Sequence, residues 1–265
     1  TAYGYIIIVS LLPFYLYKLL SNLISEKIGF YLILSFLFLP IFENMGFAQF
    51  NYIHQIVRNH AETLSIMLVI YSLSKITNKN FIQSNNAFVI FFICLLLSLS
   101  TFCRPNFLPT TFLIFLYILV IYRNNLKIIF SALTGYLFIF LSFLHNIYYS
   151  ETYSFFTRSD IHFAFNDIFY NLNTIDNNNN VVLDQILKWN PYYNIHRLLI
   201  LIFIIYSFIR FKKYKIIILF LSMTFAQHVV LLVTHPDSRY AYLAWLLTII
   251  LFFYYIFNNY LRRFK

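Results

Sequence analysis

The sequence predicts an all-α fold, a polytopic membrane helix bundle of about nine transmembrane helices with one long extracytoplasmic loop. The first observation behind this prediction is composition: 61% of the 265 residues are hydrophobic, 11% are charged, and the mean hydropathy is +0.72. A soluble domain is about half apolar and a quarter charged, so one soluble core would not bury 33 Phe and 23 Tyr. The second observation is a series of apolar stretches, and the third is the distribution of charge between them.

Nine apolar stretches follow one another along the chain. They fall at roughly 4–20, 28–42, 62–76, 87–103, 107–122, 127–147, 197–211, 215–233 and 240–258. Crossing a hydrocarbon core of about 30 Å takes about 20 residues, so the shorter stretches are marginal alone but fit inside a bundle. We therefore predict that residues 1–265 form a single transmembrane domain.

A long polar segment separates the sixth stretch from the seventh. Residues 148–196 form the predicted extracytoplasmic loop, and within it NTIDNNNN (173–180) is typical of an irregular connection. The segment VVLDQILKWNPYYNIHRL (181–198) has the pattern of an amphipathic helix lying on the membrane. It is a candidate lid over a lipid-bearing substrate.

The charges predict the orientation of the bundle. Alternate connections, at 18–27, 75–86, 123–127 and 210–215, together with the C-terminal RRFK, hold most of the 19 basic residues but a single acid, Glu26. By the positive-inside rule this side of the membrane, and with it the C-terminus, is cytoplasmic. The net charge of +10 is therefore explained by topology and does not indicate a nucleic-acid partner.

The opposite, extracytoplasmic side carries four polar clusters, of which the first is RNHAETLSIML (58–68). Arg58, Glu62 and Ser65 are spaced by four and by three, which places them on one face of the third helix, with His60 offset from it. Two interpretations are open. Arg58 and Glu62 form an i,i+4 ion pair that only stabilises the helix, or the cluster binds a sugar or a phosphate oxygen.

The second cluster is the short turn STFCRPNF (100–107), which ends one helix and begins the next with Pro105. An Arg at the edge of the membrane is costly unless it is paired or solvated. Arg104 is therefore either a snorkelling side chain or a residue of an extracytoplasmic site.

The third cluster, LHNIYYSETYSFFTRSD (144–160), follows the sixth apolar stretch. Its tyrosines, Tyr148, Tyr149 and Tyr153, fit an interfacial aromatic belt. A belt explains His145 and Asn146 less well, so these two are candidate polar contacts.

The fourth cluster, THPDSRY (234–240), lies between the last two apolar stretches. Its proline ends one helix, Asp237 and Ser238 can cap the next, and Arg239 and Tyr240 open it. A plain turn would not need Arg239 at the hydrocarbon edge. Arg239 and Asp237, with His235, are suited to binding a phosphate or pyrophosphate charge.

Neither a metal site nor a disulfide is predicted. The His and acidic residues have no diagnostic ligand spacing. Cys94 and Cys103 are nine residues apart on one helix, about 13 Å by rise alone, so both are interpreted as packing residues.

Taken together, the clusters resemble the GT-C superfamily of integral-membrane glycosyltransferases, which move a sugar from a polyprenyl-phosphate carrier to an extracytoplasmic acceptor. HPDSRY (235–240) resembles the His-x-Asp/Glu-x-Arg-Phe/Tyr turn of several mannosyltransferase-like families. RNHAETL (58–64), CRPNFL (103–108) and LHNIYYSETYSFFTRS (144–159) resemble bacterial members at corresponding loops. On the family's plan the chain covers the second span onward, so the resemblance extends over nearly the whole sequence.

The resemblance implies a glycosyltransferase that moves a hexose or pentose to a lipid, glycan or protein acceptor, in a bacterial plasma membrane with the active face extracytoplasmic. Transfer would be a direct, inverting displacement, in which a carboxylate deprotonates the acceptor hydroxyl and arginines stabilise the leaving phosphate. No cofactor is implied, because the donor is already activated. The residues implied in donor or substrate binding are Arg58, His60, Glu62, Arg104, His145, Asn146, His235, Asp237, Arg239 and Tyr240.

The chain departs from the family at its start. The family's catalytic acid sits in the first outer loop, whereas this chain begins at Thr1, where that loop would end. We therefore expect an N-terminally truncated fragment without the first span and first outer loop, and we assign no catalytic base.

Two other functions fit part of the sequence. A polysaccharide ligase or polymerase shares an outer-face site and a long extracytoplasmic loop. A transporter or flippase for a lipid-linked saccharide needs polar groups in both halves of the membrane, whereas the spans have almost none in the cytoplasmic half and the sequence has no evident internal repeat.

Overall fold

A computed structural model describes residues 11–38, 61–78, 80–81, 85–150, 199, 202–210, 215–233 and 238–260. Every regular element in these ranges is helical, which confirms the predicted all-α class for the described part of the chain. The helices are α1 (Leu12–Leu23), α2 (Glu26–Phe38), α3 (Ala61–Ile76), α4 (Ala87–Cys103), α5 (Leu108–Ile121), α6 (Leu126–Tyr136), α7 (Phe140–Ser150), α8 (202–210), α9 (Lys215–Val233) and α10 (Ser238–Tyr260). Single 3₁₀ turns, Pro105–Phe107 and Leu137–Ile139, lead into α5 and α7.

The helices coincide closely with the predicted apolar stretches. The bounds of α4 and α9 are the predicted ones, and α3 begins one residue earlier. The described part of the first stretch is α1, which continues to Leu23, three residues beyond the predicted end. Pro13 stands in its first turn, a position where its missing N–H is not needed. Residues 4–10 of that stretch lie outside the described residues.

Helix also extends into the first predicted cytoplasmic connection. Lys18 lies inside α1, with its ammonium 4.2 Å from the centre of the Phe14 ring. Glu26 begins α2, where a carboxylate interacts favourably with the positive end of the helix dipole. These charged residues are therefore helical, which leaves a shorter connection than the charge pattern suggested.

One described helical stretch, Leu126–Tyr149, is both long and apolar enough to cross a membrane, with 24 residues and a mean hydropathy of 1.9. It comprises α6, the 3₁₀ turn and nearly all of α7. Four further apolar helices are shorter: Ala87–Cys103, Pro105–Ile121, Lys215–Val230 and Tyr242–Asn258. By length and composition the described residues thus provide one membrane-spanning helix, and the bundle of about nine spans stays a prediction.

Asparagines begin two of the helices. The Asn86 side chain accepts hydrogen bonds from the backbone N–H groups of Phe88 and Val89, at 3.1 and 3.3 Å, at the start of α4. Asn125 accepts one from Ile128 N–H, at 3.3 Å, at the start of α6. Each satisfies donors that have no partner within the helix, so α4 and α6 begin at defined residues.

Five helices pack in a closed ring. α3 packs on α4, α4 on α5, α5 on α9, α9 on α10, and α10 returns to α3. Outside the ring, α1 packs on α3 and α2 packs on α1, while α6 lies against α4. The interior is aliphatic and aromatic, with Ile70, Leu97, Ile114, Phe220 and Leu247 all buried.

The outside of the bundle is apolar as well. Large side chains on several helices are exposed, among them Phe88 (74%), Phe130 (64%) and Ile209 (70%). Soluble proteins rarely expose apolar surface on this scale, whereas lipid is a good solvent for it. The exposed side chains therefore fit the membrane environment that the composition predicts.

Candidate functional site

A charged pair joins α3 to the end of α4. Arg104 Nη2 lies 2.5 Å from Glu62 Oε1. The Glu62 side chain is 1% exposed and that of Arg104 is 18% exposed. A carboxylate buried to this degree is tolerated only when a cation compensates its charge.

The sequence around Arg104 explains why α4 ends before this residue and why Arg104 lies in the turn that follows the helix. Proline disfavours helical backbone in the residue before it, and Arg104 is extended, with φ −147° and ψ 101°. Its N–H donates to Ser100 O at 3.0 Å, and its carbonyl accepts from Phe107 N–H at 3.0 Å. The backbone of Arg104 is thus held on both sides of the turn.

Two serines one turn deeper fix α3 against α4. Ser65 Oγ–H donates to Ser100 O, and Ser100 Oγ–H donates to Ser65 O, each at 3.0 Å. Both side chains are fully buried. Small residues allow the two backbones to approach closely, and the reciprocal bonds then fix which residues of α3 and α4 are opposite each other.

A chain of hydroxyl groups continues from α4 to α5 and α6. Thr101 Oγ1 and Thr111 Oγ1 are 2.6 Å apart, and Thr111 Oγ1 is 3.2 Å from the Tyr136 hydroxyl. The Tyr136 ring stacks on Phe115 with centroids 4.5 Å apart. These contacts connect three helices at the depth of the serine pair.

Gln227 attaches α9 to the same turn. Its Nε2 donates to Thr110 Oγ1 at 2.7 Å and to Asn106 O at 3.2 Å. Asn106 lies two residues after Arg104, and Gln227 is 1% exposed. The turn that carries Arg104 is therefore held by α9 as well as by α3.

His228, next along α9, is buried and contacts α10. Its Nε2 lies 2.9 Å from Thr248 Oγ1. The Thr248 hydroxyl donates to Ala244 O at 2.8 Å, so it accepts from His228, whose Nε2 must carry the proton. The Trp245 ring meets the imidazole edge to face at 5.7 Å between centroids.

These contacts share one end of the ring. They involve the first turns of α3 and α5, the last turn of α4 and the C-terminal part of α9, which the charge pattern predicts to face outward. We refer to this group as the outer polar layer; its members are Glu62, Ser65, Ser100, Thr101, Arg104, Thr110, Thr111 and Gln227. Within the described part of the chain, the second carboxylate oxygen of Glu62, Oε2, accepts no hydrogen bond.

The sequence identified only part of this layer. Glu62 and Ser65 were predicted to share a face of the third helix, and both contact α4. The threonines and Gln227 were missed, because a lone hydroxyl or amide in an apolar helix gives no indication of its partner. The one feature of the sequence that could have indicated them is their position, because each lies within a few residues of the predicted outer end of a helix.

His145 and Asn146 differ in their environment. His145 is exposed and contacts the Tyr149 ring, with centroids 4.7 Å apart. Tyr148 and Tyr149 are also exposed, as expected of an interfacial aromatic belt. Asn146 is 2% exposed, and its Oδ1 lies 3.5 Å from His145 Nδ1. His145 thus lies at the surface, while Asn146 points into the bundle.

Several predicted site residues lie outside the described residues: Arg58, His60, His235 and Asp237. The segment 181–198 and nearly all of the loop 148–196 also lie outside them. Arg239 and Tyr240 are in the first turn of α10, as predicted, but their side chains are not described. The convergence of these residues with Arg104 stays a prediction.

In the described ranges, no three His, Cys, Asp or Glu side chains are grouped to hold a metal ion. Cys94 is a free, fully buried thiol, which confirms its interpretation as a packing residue, and Cys103 is free and partly buried.

What the described site offers chemically is a guanidinium, partly accessible and held by a buried carboxylate at the end of an apolar bundle. Such a group is suited to binding an anion. Comparison of the chain with protein-family models, with curated proteins and with solved structures finds no match.

Proposed function

We propose that the protein is an integral-membrane glycosyltransferase that moves a hexose or pentose from a polyprenyl-phosphate carrier to an extracytoplasmic lipid, glycan or protein acceptor. The observation that carries the proposal is the Glu62–Arg104 pair, a fixed cation at the predicted outer end of an apolar bundle. The resemblance of the four sequence clusters to the GT-C superfamily supplies the reaction class.

In the proposed reaction, the bond between the sugar and the carrier phosphate breaks as the oxygen of the acceptor hydroxyl attacks the sugar, and a carboxylate accepts the proton of that hydroxyl. Negative charge accumulates on the leaving phosphate, and a fixed cation stabilises it more in the transition state than in the ground state. Arg104 has this role, together with Arg58 and Arg239. Since Glu62 is paired with Arg104, we do not assign it as the base that accepts the proton of the acceptor hydroxyl.

The membrane also fits the proposed donor. A polyprenyl chain is apolar, and the exposed aromatic and aliphatic surface of the bundle is compatible with lipid on all sides. In the proposed topology the C-terminus is cytoplasmic and the outer polar layer extracytoplasmic, at the depth where the phosphate headgroup of the carrier lies. The amphipathic segment 181–198 is the proposed lid over the lipid-bearing substrate.

The test is sugar transfer by the full-length protein, purified in nanodiscs, with a panel of radiolabelled polyprenyl-phosphate hexoses and pentoses and an extract of bacterial envelope lipids as acceptor. We expect transfer from one donor and at least a tenfold loss in Arg104→Lys, because lysine keeps the charge but loses the planar fork that pairs with phosphate. Arg239→Ala is expected to lose activity to a similar extent.

Arg123→Ala is the matched control, since Arg123 is an exposed arginine in the turn at the opposite end of α5. It should leave transfer unchanged. If Arg104→Lys and Arg239→Ala both transferred sugar at the wild-type rate, the phosphate-binding role would be wrong. In proteoliposomes, movement of the intact lipid-linked sugar across the bilayer without transfer would instead indicate a flippase.

A further inference from the structure

One charged residue of the outer polar layer, Glu62, has no direct role in the proposed reaction. Glu62 is the more deeply buried member of its pair, with 1% of its side chain exposed against 18% for Arg104. A side chain so enclosed is poorly placed to contact a sugar, although the sequence identified it as a candidate for that contact. Its accessible partner is the group that a ligand can reach.

We propose that Glu62 is a positioning residue, which holds the Arg104 guanidinium at a fixed place and orientation for the phosphate of a polyprenyl-phosphate ligand. The proposal rests on the function proposed above and deepens it, because it assigns separate roles to the two members of the pair. Arg104 binds the phosphate, and Glu62 acts on the phosphate only through Arg104.

The geometry around the pair supports a positioning role. Glu62 is itself fixed, because the reciprocal Ser65–Ser100 bonds lock its helix against α4 one turn deeper. A free arginine has several rotatable bonds, and ordering them when a ligand binds reduces affinity. An arginine already ordered by a buried carboxylate binds without that cost.

The turn on the other side of Arg104 is equally constrained. Gln227 donates to Asn106 O, and the Arg104 backbone makes hydrogen bonds in both directions. The backbone of Arg104 is thus fixed by α4 and α9, and its guanidinium is fixed by Glu62 of α3. Three helices together determine where the positive charge lies.

A positioning role and a direct sugar contact make different predictions for a ligand without a sugar. Farnesyl monophosphate carries the phosphate and a short prenyl chain, and farnesol is the same molecule without the phosphate. A residue that contacts only the sugar has no effect on binding of either molecule. A residue that positions the phosphate-binding arginine affects binding of the phosphate and not of the alcohol.

The experiment measures binding of both molecules to the detergent-solubilised protein by isothermal titration calorimetry. We expect the wild type to bind farnesyl monophosphate at least tenfold more tightly than farnesol. Glu62→Gln, which keeps the shape of the side chain and removes its charge, should weaken phosphate binding at least fivefold and leave farnesol binding unchanged. Ser65→Ala should shift phosphate affinity in the same direction by a smaller factor.

A double variant, Glu62→Gln with Arg104→Gln, is the control that separates loss of phosphate binding from loss of the folded structure. Two amides can replace the ion pair with a neutral hydrogen bond, so the protein should stay folded, as checked by its thermal unfolding midpoint. It should no longer distinguish farnesyl monophosphate from farnesol.

The outcomes separate the two proposals. If the wild type does not prefer the phosphate over the alcohol, the proposed function fails, and the positioning role fails with it. If the wild type has the preference but Glu62→Gln binds the phosphate equally well or more tightly, the function stands and the positioning role is wrong. Tighter binding would show that Glu62 competes with the phosphate for Arg104.

Discussion

Helix α4 contacts its two main neighbours, α3 and α6, in different ways. Its contact with α3 is polar and directional, made by Ser100 and Arg104. Its contact with α6 carries no charge in the described part of the chain, and apart from the hydroxyl chain that ends at Tyr136 it depends on shape. A Cβ atom at Gly135 would lie 2.4 Å from Phe91 O and 3.0 Å from the Cys94 Cβ. The α6 contact therefore sets how close the helices come, whereas the α3 contact sets which side chains meet.

The difference has a consequence for function. Close apolar packing between two helices is as compatible with surrounding lipid as with surrounding protein, since both environments are apolar. A buried ion pair is costly to assemble and is not needed to hold two apolar helices together. The presence of a charge at only one of the two α4 contacts described here supports a role for Arg104 beyond packing.

The largest expected effect comes from removing the cation of the polar contact. Arg104→Ala leaves the Glu62 carboxylate buried without compensation, and such changes cost about 3–5 kcal/mol of unfolding free energy. Thermal unfolding in detergent should show a large drop in the midpoint. Adding Glu62→Gln to Arg104→Ala should restore most of the loss. An unchanged midpoint in the single variant would mean that the carboxylate is not buried with Arg104 as its partner.

The next effect tests the contact made by shape. Gly135→Ala places a methyl group against the backbone of α4, so α6 must move away, at a cost of about 1–3 kcal/mol. Thr134→Ala is the matched control, because Thr134 is the neighbouring residue and is exposed. The two unfolding midpoints should differ by several degrees; equal midpoints would contradict the close approach of α4 and α6.

The smallest effect concerns the serine pair. Ser65→Ala removes one hydrogen bond, but Ser100 O still accepts from Arg104 N–H, so no buried acceptor is left unsatisfied. The expected loss is about 0.5–1.5 kcal/mol. Ser65→Val should destabilise more, because it also separates the helices. A loss in Ser65→Ala as large as that in Arg104→Ala would show that the polar contact depends on the serines rather than on the charge.

The sequence predicted the positions of the helices well, for a local reason. Each α-helical hydrogen bond joins residues four apart, and an apolar run bounded by Asn86 at one end and Pro105 at the other contains the signals that begin and end α4. The prediction was less accurate at the end of the first helix, because α1 continues to Leu23, three residues beyond the predicted apolar stretch.

The candidate site was predictable only in part. Helical periodicity placed Glu62 and Ser65 on one face, and Pro105 placed Arg104 in a turn. Neither signal identifies a partner on another helix. The sequence suggested Arg58 as a partner for Glu62 because it is four residues away, and this stays a prediction since Arg58 lies outside the described residues. The ion pair with Arg104, which no local signal indicated, joins residues separated by most of α3 and all of α4.

The sequence alone therefore determined the all-α class, the course of most described helices and the helix ends at which Glu62 and Arg104 lie, because each depends on composition and local hydrogen bonding. Tertiary structure alone decided that Glu62 meets Arg104, that Gln227 meets the Arg104 turn, and that His145 stays at the surface. Those outcomes depend on which helices pack together and in what register. That choice is made by the fit of whole surfaces, such as the close approach at Gly135, and not by any single segment.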